Sequence, residues 1–97
     1  MGRYDLHRVD NALVLDVQSN IIPRVGTRLV IPLFEEGTVP RAMSRLHPVL
    51  DVGGRDYVLV THLMAAMPIS QLGPAIGSLD HLHDTIRAAL DMIFLGF

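Results

Sequence analysis

The chain has 97 residues, 49% hydrophobic and 19% charged, a balance that fits one globular domain over residues 1–97 and argues against disorder. Its net charge is −2 and its eight cations are all Arg, which argues against autonomous binding to nucleic acid, where a basic face must displace counterions. Without Cys there are no disulfides, thiolates or Cys-based zinc sites, and no apolar run reaches the ~18–20 residues of a membrane span, so a soluble cytoplasmic protein is expected.

A domain this small can hide only part of so much apolar side chain. The surplus predicts a face used in association, most simply in a two-fold homodimer.

Most of the chain reads as short strands. "RYDLHRV" alternates, with Tyr4, Leu6 and Val9 expected near one face. In "ALVLDVQS", Leu13, Leu15 and Val17 share one side, with Val14 and Asp16 on the other. "PRVG" (Pro23 to Gly26) supplies turn residues before "TRLVIPLF", giving a hairpin pattern. Pro32 inside that run predicts an edge or a bulge, because proline cannot donate to the ladder.

"EEGTVPRAMSRLH" reads as a polar loop with one helical turn, and "PVLDVGGRDYVLVTH" as two strands around the turn Gly53-Gly54. In "LMAAMPISQLG" a short strand is expected after Pro68, ending at Gly73-Pro74. From Ser78 the period changes. Leu79, Leu82, Ile86, Ala89 or Leu90, Ile93 and Phe97 follow the three-and-four spacing of an amphipathic helix, with Ser78 as N-cap and Asp80 in the first turn. The fold class is therefore mainly β with one C-terminal α-helix: a strongly bent, barrel-like antiparallel sheet.

The end of that helix, "DMIFLGF", is apolar on more than one face. Ala88, Met92 and Leu95 form a second stripe that needs a partner beyond the chain's own sheet, either the same helix of a second copy or another protein. The helix-end carbonyls carry about half a negative charge. The Phe97 carboxylate and Asp91 would add to it. Such a site inside an apolar rim suits a weakly hydrated guanidinium. The alternative is that Arg87 answers Asp91, four residues on, with nothing external involved.

Catalytic patterns are weak. His81 and His83 lie two apart, about 200° around a helix, and cannot share an ion. His7, His47 and His62 lack acidic neighbours at ligand spacing, so the histidines read as surface or interface groups. Asp51 with Asp56, and Glu35 with Glu36, read as solvated charges. Ser44 with His47, and Thr61 with His62, lack a third group. Neither metal nor cofactor is expected.

Three stretches together resemble one family: "LVLDVQSNIIPRVGTRLVIPL" (Leu13 to Leu33), "LHPVLDVGG…YVLVTHLMAAMPISQLG" (Leu46 to Gly73) and "AALDMIFLGF" (Ala88 to Phe97). They are similar to the CcdB toxins of toxin–antitoxin modules. The resemblance implies an SH3-like barrel with a C-terminal helix, a homodimer, and a function without enzymatic chemistry. It implies that the chain binds the A-type subunit of DNA gyrase and traps the enzyme on cleaved DNA. A CcdA-like antitoxin would release gyrase, and the two would repress their operon, with DNA bound only through the antitoxin. Matched by position, the implied gyrase contacts are Ile21, Ile22, Asp91, Phe94, Leu95, Gly96 and Phe97. Met92, Ile93 and Leu95 are expected at the dimer interface, and Gly96 is expected to allow close approach. The best-known members carry Trp in place of Leu95, Asn in place of Asp91, and a smaller aliphatic in place of Phe97.

Two other readings stand beside this one. An endoribonuclease toxin of the related barrel fold would need a basic groove and an acid–base pair. A degenerate homologue would keep dimerisation and antitoxin binding without poisoning gyrase. The loop Glu35 to Arg45 and the hairpin at Asp10-Asn11 are the candidate antitoxin surfaces, by exposure.

Overall fold

The computed structural model describes residues 2–21, 26–40 and 43–97. Among these, β1 (Asp5–Val9), β2 (Ala12–Asp16), β3 (Thr27–Glu35), β4 (Val49–Val52), β5 (Arg55–Leu59), β6 (Ala65–Pro68) and β7 (Gly77–Ser78) precede the single α-helix, α1 (His83–Leu95). The sheet is antiparallel throughout and runs β4-β5-β3-β2-β1-β7, with β6 also on β3. This is the expected bent sheet closed by one helix.

The long strand β3 makes the curl possible. Its first half, Thr27 to Val30, pairs with β6, and its last residues, Leu33 to Glu35, pair with β5. On its other side it holds β2 continuously, from Leu13↔Leu33 to Asp16↔Val30. Pro32 therefore lies mid-strand in a central strand, not at an edge. Its carbonyl accepts the Val60 N–H at 3.1 Å, so its nitrogen faces the same side. There the partner changes from β5 to β6, and the missing donor falls in the gap between two neighbours.

The strand alternation sorts the core. Tyr4, Leu6, Leu13, Leu15, Ile31 and Leu59 point to the concave face, where Ile86 and Ala89 of α1 cover them. Val14, Val30 and Leu72 form a smaller cluster on the outer face. Val9 joins this outer cluster rather than Tyr4 and Leu6, because it is an odd number of residues from both.

His7 is fully buried on the outer face, contrary to a surface reading. Its Nδ1–H donates to the Gly73 carbonyl at 2.8 Å, stapling the Ile69–Gly73 segment over the sheet. Nε2 is buried without a partner, and in this tautomer it carries only a lone pair. His47 is buried as well. Its Nε2 lies 2.8 Å from Nδ1 of His62, with the rings edge to face. That contact ties the turn closed by His47 N–H to Met43 O, the one helical turn expected in this loop, to the 3-10 turn Thr61–Leu63.

Other boundaries also differ from expectation. The strand near Pro68 precedes it, because β6 pairs with Thr27 to Val30 and a 3-10 turn, Ile69–Gln71, follows. The turn between β4 and β5 is as expected: Gly53 and Gly54 have φ of +61° and +86°, the left-handed pair that a tight hairpin of this hand requires. Ser78 belongs to β7 opposite Asp5. Its hydroxyl accepts the Asp80 N–H at 3.2 Å, but neither the 3-10 turn Asp80–Leu82 nor α1, which begins at His83, has a side-chain cap.

Candidate functional site

Helix α1 is 13 residues long, or about 20 Å at 1.5 Å per residue. Its first half packs: Ile86 and Ala89 are fully buried, and the helix lies against the Thr61–Leu63 turn. Leu90, Asp91, Met92 and Ile93 are half-buried. Beyond them Phe94 is 67% exposed, Leu95 60% and Phe97 71%. Phe97 is thus off the packing stripe, because the helix ends at Leu95 before the stripe can reach it. Phe94 and Leu95 lie about 100° apart around the axis, and both stay exposed.

Gly96 ends the helix at φ +83°, with its N–H bonded to the Met92 carbonyl at 3.1 Å. A side chain there would meet nothing within 4 Å, but the left-handed φ disfavours any Cβ. Within this chain the backbone geometry, rather than close approach, is what calls for glycine.

No ion pair among the described residues compensates the charge at the helix end. Its last turn carries no basic residue, although a cation is best placed there. The ion pairs among the described residues are Arg28–Asp16 and Arg55–Glu35, and His83 Nε2 lies 2.9 Å from Asp84 Oδ1. Arg87 therefore does not answer Asp91. The negative end of the helix dipole, Asp91 and three exposed apolar side chains share one end of the molecule.

The second group of expected contact residues sits elsewhere on the chain. Ile21 lies in the loop after β2 and is 91% exposed; Ile22 falls outside the described residues. No hydrogen bond or ion pair joins this loop to the helix end among the described residues. The base of the loop holds a network that sequence reasoning missed. Asp16 and Arg28 are buried and bonded twice: Arg28 Nε to Oδ2 at 2.6 Å and Nη2 to Oδ1 at 3.0 Å. Nη2 also donates to the Gln18 carbonyl at 3.1 Å, and the Gln18 N–H donates to Asp16 Oδ1 at 3.0 Å. The signal is present in the sequence, as one acid in the interior of an apolar strand and one Arg near the start of the next.

A family model described as CcdB protein matches residues 3–96. The chain belongs to the CcdB family. The match covers the sheet, the Ser19–Ile21 loop and the whole of α1. It makes the chain the toxin component of a toxin–antitoxin pair, and it agrees with the curled antiparallel sheet and single C-terminal helix.

Proposed function

We propose that the chain poisons DNA gyrase by binding its A-type subunit through the end of α1 and the Ile21 loop. The observation that carries this reading is the bare helix end. Phe94, Leu95 and Phe97 expose large apolar surface beside a helix terminus that no cation of the last turn neutralises. An arginine side chain complements both features, since its guanidinium meets the negative potential and its flat face packs on apolar groups. Asp91 supplies a full charge, and Phe97 an aromatic face on which a cation can stack. The action is binding alone and calls for no catalytic residue of the chain.

Two copies present two such ends, with Met92, Ile93 and Leu95 at the two-fold contact. The half-buried state of Met92 and Ile93 supports this, because each keeps apolar surface that its own chain does not cover. A CcdA-like antitoxin competes for the toxin and, bound to it, brings the pair to operator DNA. Its docking surface on this reading is the open groove of about 700 Å³ whose rim includes Asp10, Asn11, Phe34, Glu35, Arg55 and Tyr57. That groove joins the hairpin at Asp10-Asn11 to the start of the Glu35–Arg45 loop, of which residues 41–42 lie outside those described.

Calorimetric titration of the purified gyrase subunit with the intact chain and with a chain lacking Leu95 to Phe97 tests the reading. Saturable binding by the first and none by the second, with both folded and dimeric, is the expected result. Equal binding by the two would refute it.

A further inference from the structure

Ile21, 91% exposed, presents its apolar surface to water. The residues beneath Ile21 show what keeps it out. The register that pairs Leu13 with Leu33 puts Val17 opposite Leu29. In an antiparallel ladder such a pair exchanges two backbone bonds. Here only one is made, from Val17 N–H to the Leu29 carbonyl at 2.9 Å. The Leu29 N–H turns instead to the side-chain Oε1 of Gln18 at 3.0 Å. The Gln18 side chain thus stands in for a ladder carbonyl, and the backbone leaves the sheet at this residue without orphaning a donor.

Gln18 is held at three points: its N–H by Asp16, its carbonyl by Arg28 and its side chain by Leu29. The loop beyond is braced a second time. Asn20 Oδ1 accepts the Arg3 N–H at 2.9 Å, and Ser19 Oγ accepts the Ile21 N–H at 3.2 Å. Arg3 is fixed in turn, with its guanidinium 4.8 Å above the ring of the buried Tyr4. Tyr4 holds φ +71°, an unfavourable value for an aromatic residue that persists only where the surroundings impose it.

A buried ion pair is a poor device for stability alone, since apolar residues of similar volume do as well or better. What this pair does is fix direction. We propose that Asp16, Gln18 and Arg28 are positioning residues: a clamp that pre-orders the Ser19–Ile21 loop so that Ile21 meets its partner without an ordering cost. The identity of that partner rests on the gyrase reading above; the clamp itself does not.

The test compares Gln18→Met, which keeps the shape and loses the acceptor, with Gln18→Glu, which keeps an oxygen for the Leu29 N–H. Backbone 15N order parameters are measured on the folded protein, and affinity for the purified gyrase subunit by surface plasmon resonance. In Gln18→Met the amides of Asn20 and Ile21 should fall from about 0.85 to below about 0.6 while those of Leu15 and Ile86 stay rigid. If one tenth of the loop population remains competent, affinity falls about tenfold. Gln18→Glu should retain both properties. Should Gln18→Met not fold, Asn20→Ala removes the outer brace at an exposed site and should loosen the same two amides. An unchanged loop in these variants, or a loosened loop with undiminished affinity, overturns the clamp. A loosened loop in a protein whose parent never binds gyrase sinks the gyrase reading and supports the clamp.

Discussion

Replacing Asp16 with Ala is the sharpest perturbation of this fold. The carboxylate is fully buried and the Arg28 side chain 9% exposed, so deletion leaves a guanidinium in the interior with one acceptor, the Gln18 carbonyl. Three hydrogen bonds to Asp16 disappear, each worth about 1 kcal/mol net. The stranded charge raises the cost to roughly 3–5 kcal/mol, the usual loss on breaking a buried pair from one side. At 4–8 °C per kcal/mol for a domain of this size, the midpoint of thermal unfolding should drop by about 12–40 °C. Removing both partners, as Asp16→Ala with Arg28→Met, should recover at least about 2 kcal/mol of the single-variant loss. Urea unfolding followed by circular dichroism at fixed protein concentration measures all three proteins. A single-variant cost below about 1 kcal/mol, the range of exposed pairs, would refute the burial argument.

Three further expectations concern the helix. Ile86→Ala removes a fully buried contact between α1 and the sheet and should cost about 2–5 kcal/mol in the same urea experiment. Gly96→Ala forces a side chain into φ +83° at about 1–2 kcal/mol; it should fray the last turn and weaken gyrase binding while barely moving global unfolding. Leu95→Trp adds a ring face for a guanidinium, about 0.5–2 kcal/mol, so calorimetric affinity for the gyrase subunit should rise about threefold to thirtyfold.

What can be read from the sequence is what local chemistry determines. The alternation in Leu13 to Val17, the Gly53-Gly54 turn and the three-and-four spacing around Ile86 and Ala89 each have one structural solution, and each is present. What escapes depends on partners far along the chain. His7 reads as a surface or interface residue because its acceptor, Gly73, is 66 residues away. Pro32 reads as an edge or bulge residue because nothing local reveals that β3 changes partner beside it. Ser78 reads as the cap of the long helix because its pairing with Asp5 is invisible in its own neighbourhood. Val9 is different, since the parity of its spacing from Tyr4 and Leu6 already places it on the opposite face.

The candidate site divides in the same way. The bare helix end follows from composition and period, since a run with apolar residues on adjacent faces must leave one uncovered. The absence of a basic residue in the last turn is legible too. Of the clamp beneath Ile21 only the two charges in apolar strands leave a trace in the sequence; the rest assembles from two strands, one glutamine side chain and a ladder that opens at a single residue.

The most direct measurement is a plasmid cleavage assay with purified gyrase, ATP and the intact chain, followed by denaturation and proteolysis of the enzyme. Linear plasmid that accumulates with the intact chain and disappears when Leu95 to Phe97 are deleted is the expected result. Absence of linear plasmid with the chain folded, unrestored by Leu95→Trp, would contradict the assignment of the helix end as the gyrase-binding element.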